Sequence, residues 1–208
     1  MLELTDTVAQ IGAKINKAFA EEINNVLQKR KVHILAKCKS LAIDFISESP
    51  ELKSLSDPTP GSLRGQFGLL PGQGDLVSDE VRMAVANSVE VKFIPFDEKF
   101  RGGFDVNFQP SNFSNLLGLS SGHTIYKRGD LHWMDWLLTQ GDRIIVVNYM
   151  YNPQTGIGRS MLGNMKEGGV FRVPPTFSGT VNDNFVTRAL IGKHQETAIS
   201  NIFQKELS

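Results

Sequence analysis

Ser120 is the residue of this sequence whose setting comes closest to a catalytic motif. Residues 118–122 read Gly-Leu-Ser-Ser-Gly and match the G-x-S-x-G nucleophile elbow of serine hydrolases. An elbow requires a strand directly before the serine and a helix directly after it. The flanking sequences NFSNLLGL and HTIYKRGD predict neither element. We interpret the motif as a loop and keep a serine hydrolase centred on Ser120 as the alternative.

Histidine and cysteine are the other side chains here that could bind a metal or act as nucleophiles. The four histidines are scattered, with no H-E-x-x-H and no carboxylate at ligand spacing: His33, His123, His132 and His194. His132 is interpreted as a surface or interface side chain. The single cysteine, Cys38, excludes an intramolecular disulfide and lies among apolar helical positions as an inert thiol. The sequence thus predicts no enzyme, metal or cofactor.

Cationic side chains are concentrated locally in a chain without net charge. Lys plus Arg and Asp plus Glu each number 22, so no global field favours nucleic acid or an anionic membrane. Five Lys or Arg residues and His33 fall between Lys29 and Lys39, forming a solvated face or, alternatively, a contact with the DNA backbone. Residues 156–160 (GIGRS) predict a hairpin loop, which could present Arg159 to a carboxylate or phosphate.

The chain has the length and composition of one globular domain or of a domain with an appendage. Its 208 residues are 40% hydrophobic and 21% charged, which is sufficient for a substantial core. No apolar run approaches the ~20 residues required to cross a bilayer. The start, MLELTDTVAQ, lacks the pattern of a secretory signal. We therefore expect a protein that is made and folded in the cytosol.

A long N-terminal helix is predicted from Leu4 to Ile46, capped by Thr5 or Asp6 and followed by Pro50. Its first half carries an apolar stripe at helical spacing: Val8, Ile11, Ile15, Phe19, Ile23 and Val26. Unbroken, this helix would be ~60 Å long, whereas a compact chain of this size has a radius of gyration of roughly 17 Å. The helix therefore breaks, near Gly12 or Lys29, or it projects and buries the stripe on another subunit.

The sequence divides into three regions: an N-terminal helical region (1–49), a Pro/Gly-rich connection (50–77) and an α+β domain (78–208). In the third region, Ser78 is expected to cap a short helix through Ala86. Residues 89–93 and 103–108 alternate in polarity and predict two strands that pair in an antiparallel manner.

Both tryptophans lie in one predicted helix, which begins at Asp130 and ends at Gly141. The apolar arc around Trp133 and Trp136 is too wide for a helix with a free face, so they belong either to a deep core or to a permanent interface. The apolar run 144–147 after this helix predicts a buried central strand.

The remainder of the chain predicts a turn, a short strand and a closing helix. The turn is expected at 152–156 and the strand at 171–173, where Pro174 and Pro175 stop it. The helix is expected to run from Asn182 or Asp183 to about Glu206 and to bend at a polar gap at 192–196. Together, the elements predict an α+β fold: a long N-terminal helix, a mixed or antiparallel sheet with the short inserted Trp helix, and a C-terminal helix.

Four stretches of this sequence are similar to a family of virion structural proteins of tailed bacteriophages, those of the neck and tail-completion type. Two are specific: LHWMDWLL at 131–138, followed by Gly-Asp and the IIVV run, and FRVPPTFSGT at 171–180, which leads into DNFVTRA at 183–189. Two are shorter: SLRGQFGL at 62–69 and GRSM at 158–161. Phe171 and Phe185 stand where the family pattern has tryptophan.

The resemblance implies a non-enzymatic subunit that closes into a ring at the junction between head and tail. It implies a neck or tail-completion protein, with a tail terminator or another connector ring as the alternative. The implied partners are copies of the chain itself and other neck, portal-side or tail proteins. Non-specific contact with packaged DNA is compatible with it, and no membrane is involved. Such a protein is assembled in the host cytoplasm and located in the virion. The expected interface residues are Arg64, Trp133, Trp136, Arg159 and Arg188.

Overall fold

A computed structural model describes residues 6–126, 129–155 and 158–207, with the side chain of Leu207 excepted. It is 51% helical and 17% strand, which confirms the predicted α+β class. The helices are α1 (Val8–Ser47), α2 (Pro50–Ser56), α3 (Leu63–Gln66), α4 (Gln73–Ser88), α5 (Ser114–Leu117), α6 (Trp133–Leu138), α7 (Phe185–Leu190) and α8 (Lys193–Leu207). The strands are β1 (Glu90–Ile94), β2 (Gly103–Asn107), β3 (Thr124–Tyr126), β4 (Gly129–Leu131), β5 (Val146–Asn152) and β6 (Asn164–Phe171).

Helix α1 is continuous over 40 residues, so neither Gly12 nor Lys29 breaks it. A capping box starts the helix: the Gln10 amide donates to Thr7 Oγ1 at 3.3 Å, and the Thr7 amide donates to Gln10 Oε1 at 2.8 Å. The cap is thus Thr7 instead of Asp6, while Thr5 and the predicted start at Leu4 lie outside the described residues.

Residues 50–77, which the sequence predicts to be a connection, contain α2, α3 and the start of α4. Pro50 occupies the first turn of α2, where proline lacks only an amide that has no helical partner. Gly74, inside α4, permits close packing, since a Cβ there would overlap the carbonyl oxygen of Leu55. Helix α4 begins at Gln73, five residues before Ser78. Ser78 therefore lies inside the helix and does not cap it as predicted.

The strands pair as three separate antiparallel hairpins within the described residues, instead of one larger sheet. The predicted pairing of the first two strands is confirmed, with Val91 opposite Val106 and Phe93 opposite Phe104. Strands β3 and β4 form a three-residue hairpin before the Trp helix. Strands β5 and β6 form the longest hairpin and replace the short strand predicted at 171–173.

The run 144–147 is not the buried central strand that its apolar composition predicted. Strand β5 begins only at Val146, and Ile144, Val146 and Val147 are exposed. An apolar run shows that a strand avoids water, but it does not identify the element that covers it. Here β5 has a single partner, β6, which also leaves its own side chains exposed from Met165 to Val170.

The Trp helix and the C-terminal helix are shorter than predicted. Asp130 lies in β4 and does not cap α6, whereas Gly141 follows the helix with a positive φ of 66°, as its predicted role as a stop requires. The C-terminal helix is divided at Gly192, inside the predicted polar gap, into α7 and α8. Asn184 caps α7 by accepting from the amides of Val186 and Thr187, both at 3.1 Å.

The hydrophobic core is built by the second half of α1 together with α2, α3, α4, α6 and α7. Its largest fully buried side chains include Trp133, Phe67 and Phe185. Among the described residues, no helix is long and apolar enough to cross a membrane.

Candidate functional site

Trp133 belongs to the core of the chain. Its side chain is fully buried and stacks on Phe67, with ring centroids 5.0 Å apart and an interplanar angle of 14°. Its indole N–H is buried without a hydrogen-bond partner among the described residues. Because no part of the ring is accessible, Trp133 cannot contact a partner directly and can act on an interface only by packing beneath surface residues.

Trp136 lies at the margin of the core and is only half-buried. Its carbonyl oxygen accepts a hydrogen bond from the Gly179 amide at 3.0 Å, and the side-chain amide of Asn184 donates to the Leu138 carbonyl at 3.3 Å. These bonds fasten α6 to the segment before α7. Of the two tryptophans, Trp136 is the one with a side chain that reaches the surface.

Arg159 is exposed on the loop between β5 and β6 and is held by its own chain. One guanidinium nitrogen donates to the Ile125 carbonyl at 2.7 Å, and the group lies 5.9 Å from the centre of the Tyr126 ring. Burial raises the pKa of Tyr126, and the charge of Arg159 opposes this shift. The described part of the loop confirms a hairpin connection, while Gly156 and Ile157 lie outside the described residues.

Arg64 and Arg188 lie on different helices and have different environments. Arg64 in α3 is half-buried, and its Nε is buried without a hydrogen-bond partner among the described residues. Arg188 in α7 donates to Glu51 Oε1 at 2.6 Å and to Asp183 Oδ1 at 2.8 Å. Burial alone would lower the pKa of Arg188, but the two carboxylates outweigh it and raise this pKa. Arg188 therefore ties α7 to α2.

The structure brings only two of the five predicted interface residues into one chain of contacts. The Tyr126 hydroxyl under Arg159 donates to the Phe67 carbonyl at 3.0 Å, and Phe67 stacks on Trp133. Arg188 pairs with Asp183 and Glu51, and Trp136 lies at the margin of the core. Arg159 and Arg188 are accordingly better explained as links within the chain than as parts of one continuous binding patch.

The apolar stripe on the first half of α1 is an exposed surface that contains none of the five predicted interface residues. Between Val8 and Phe19 no residue is buried, and Phe19 is 59% exposed. The body of the protein first covers the helix at Ala20, which is buried, and one turn later Asn24 accepts from the Phe96 amide at 2.7 Å and donates to the Phe96 carbonyl at 3.0 Å. The preceding turns of α1 bury no side chain against the described residues, and Val8, Ile15 and Phe19 of their stripe are exposed.

The stripe does not continue the face by which α1 joins the core. At 3.6 residues per turn, the stripe is centred about 100° around the helix from the buried positions that begin with Ala20 and Leu27. A partner could therefore cover the stripe without displacing any contact of the core.

The hairpin of β5 and β6 is the second exposed apolar surface, and its exposed apolar side chains are Val146, Val147, Tyr149, Met150, Met165 and Val170. Val147 is 62% exposed and faces Val170 across the hairpin. The ends of the hairpin are attached to the body, since Phe171 is buried in the core and the Ser160 hydroxyl in the connecting loop donates to the Gly65 carbonyl at 3.2 Å. The middle of the hairpin has no cover from the described residues.

The basic segment of α1 is partly paired with α8. Glu206 contacts Lys37 and lies 3.7 Å from Arg30, and the hydrogen bond from Lys37 lowers the pKa of Glu206. Lys29 is exposed. The basic face of α1, which the sequence predicted to be solvated, thus also contacts α8 through ion pairs with Glu206.

Ser120 lies in a three-residue 3-10 turn that follows α5, so the strand that a nucleophile elbow requires does not precede it. We expect no labelling of the protein by a fluorophosphonate probe, measured by in-gel fluorescence. Labelling of the wild type that disappears in Ser120→Ala would establish the hydrolase alternative.

Two of the histidines that look scattered in the sequence are neighbours in the structure. His123 and His132 flank the β3–β4 hairpin, their rings stack with centroids 4.8 Å apart, and Asp130 contacts both. The available signal was the Asp-x-His spacing on a strand, which places both side chains on one face. It could be recognised only with the hairpin pairing.

Comparison of the chain with protein-family models, curated proteins and solved structures finds no match.

Removing Arg188 is expected to destabilise the protein, because Glu51 is 1% exposed and would lose the guanidinium that pairs with it. Arg188→Ala should lower the free energy of unfolding by about 2–3 kcal/mol, a value reduced by the partial exposure of the arginine. Urea denaturation followed by circular dichroism measures this loss. Arg143→Ala, which removes an exposed contact to Gln140, should cost less than about 0.5 kcal/mol. Equal losses in the two variants would contradict the role given to Arg188.

Proposed function

We propose that this chain is a ring-forming structural subunit of a tailed-phage virion, of the neck or tail-completion type. A tail terminator or another connector ring is the alternative within this class. The family resemblance of residues 62–69, 131–138, 158–161 and 171–189 supports the virion assignment. The uncovered apolar surfaces support assembly.

The exposed stripe of α1 is the observation that carries the proposal. Isolated helices shorter than about 12–15 residues are marginal in water, and the first three turns of α1 bury no side chain against the described residues. A regular apolar stripe there is explained if another molecule packs on it. A copy of the same chain is the simplest partner, because a ring buries such a surface in every subunit.

The hairpin of β5 and β6 supplies the complementary surface. The stripe from Val8 to Val26 is about 28 Å long, and strands of seven and eight residues are about 23–26 Å long. The two apolar surfaces therefore match in length. Packing the stripe of one copy on the hairpin of the next gives a heterologous contact, which generates a ring when its rotation closes.

The balanced charge of the chain suits a ring through which DNA passes. With 22 basic and 22 acidic side chains, the subunit has no global attraction that would retain the duplex. Exposed cations such as Lys29 would give only weak, non-specific contact with phosphates.

Assembly is tested by size-exclusion chromatography with light scattering over a range of protein and salt concentrations, followed by negative-stain electron microscopy. We expect rings of a single size, formed either in solution or on purified tails or capsids. A chain that stays monomeric at every concentration and binds neither tails nor capsids would contradict the proposal.

A further inference from the structure

The β3–β4 hairpin brings together three side chains that could bind a metal. Thr124 pairs with Leu131, so His123 and His132 stand opposite each other just beyond the paired residues. Asp130 lies in β4, two residues before His132, which directly follows the strand. One ligand atom from each of the three lies within 4.8 Å of the other two.

Asp130 lies between the two imidazoles. His123 Nδ1 is 2.7 Å and 2.8 Å from the two carboxylate oxygens, and His132 Nε2 is 3.2 Å from Oδ2. A tetrahedral zinc ion with bonds of about 2.0–2.2 Å requires its ligand atoms to be about 3.3–3.5 Å apart. To bind an ion, the His123 nitrogen and the Asp130 carboxylate would have to separate by roughly 0.5–0.8 Å, and the two stacked imidazoles would have to rotate until a nitrogen of each points at the same ion. His132 is free to make these movements because its side chain is 63% exposed.

We propose that His123, Asp130 and His132 bind a divalent transition-metal ion of the zinc type. Two imidazoles and one carboxylate suit zinc, cobalt or nickel, whereas magnesium and calcium prefer sites made of oxygen ligands. Three protein ligands leave a fourth position, which the exposure of the site opens to water. The site lies within one chain, so it does not depend on ring formation.

The ion would fasten the β3–β4 hairpin to the Trp helix. Each strand of this hairpin has only three residues, and an isolated two-stranded hairpin is marginally stable in water. His132 directly precedes the buried Trp133, while His123 follows the 3-10 turn at Ser120–Gly122. A metal that bridges the two histidines would close the open end of the hairpin.

Isothermal titration calorimetry of the untagged protein with zinc chloride tests the site. We expect one ion per chain, and no binding of magnesium chloride under the same conditions. His123→Ala, His132→Ala and Asp130→Asn should each weaken zinc binding by about tenfold or more, since even the loss of an outer partner of a metal ligand has an effect of this order. His33→Ala removes an exposed histidine of α1 and should bind zinc as the wild type does.

Cobalt absorption spectroscopy is a second measurement that does not rely on heat. Bound cobalt should give visible bands in the wild type and in His33→Ala, and these bands should be lost in the three ligand variants. Circular dichroism of each variant shows that loss of binding is not loss of fold. Zinc binding of equal strength in the wild type and in a folded His123→Ala/His132→Ala double variant would overturn the proposal, as would the absence of stoichiometric binding to the wild type.

Discussion

Trp133→Ala is expected to lower the free energy of unfolding by about 3–5 kcal/mol, the usual loss when a fully buried large aromatic side chain is truncated. The ring has no exposed surface, and its stacking contact with Phe67 would be lost with it. Domains of this kind are stable by only about 5–15 kcal/mol, so the variant would lose a large fraction of its stability.

Trp136→Ala is the matched control for this prediction, because it removes the same side chain three residues later. Trp136 is half-buried, so we expect its truncation to cost clearly less than that of Trp133. Chemical denaturation followed by far-UV circular dichroism compares the two. If the exposed part of Trp136 also contacts a neighbouring subunit, the yield of rings should fall more than stability does. A Trp133→Ala variant as stable as Trp136→Ala would contradict the core position of Trp133.

Phe19→Asp is expected to abolish assembly while leaving the single chain intact. The side chain is 59% exposed and makes no core contact, so the free energy of unfolding should change by less than about 0.5 kcal/mol. At the proposed interface, a charge in place of an apolar anchor should cost at least about 2 kcal/mol per contact, or roughly 30-fold in affinity.

Gln28→Asp is the control on the same helix. It introduces the same charge at an exposed position nine residues away, which is half a turn around α1 from Phe19. Light scattering, or co-sedimentation with purified tails or capsids, should show assembly by Gln28→Asp and none by Phe19→Asp. Unchanged assembly of Phe19→Asp would exclude the stripe as a subunit interface.

The local signals in the sequence were sufficient for the existence of the long N-terminal helix, the Trp helix and the C-terminal helical region, and for one pair of strands, but not for α2 and α3. The apolar spacing predicted α1, and the alternating stretches predicted the pairing of β1 with β2. The polar gap predicted a bend in one C-terminal helix, and the structure instead divides the helix there into α7 and α8. Each of these features depends on residues a few positions apart, because helical period, strand alternation and capping are properties of the neighbouring chain.

Composition was misleading where the role of a residue depended on distant packing. Pro50 and Gly74 looked like breakers, but Pro50 starts α2, and Gly74 lies in α4 where a Cβ would overlap the Leu55 carbonyl. The run 144–147 looked buried, yet Val146 to Met150 are exposed among the described residues. An apolar residue avoids water wherever its partner comes from, so its type does not distinguish the chain's own core from another molecule.

The sequence by itself therefore determined the class of fold, the order of the principal helices and the existence of an apolar stripe on α1. Only the tertiary structure decided that Trp133 is core, that the stripe projects uncovered, and that His123, Asp130 and His132 meet. The physical reason is range: helical and strand periodicity are local, whereas burial and side-chain clusters depend on how the elements pack across the whole chain.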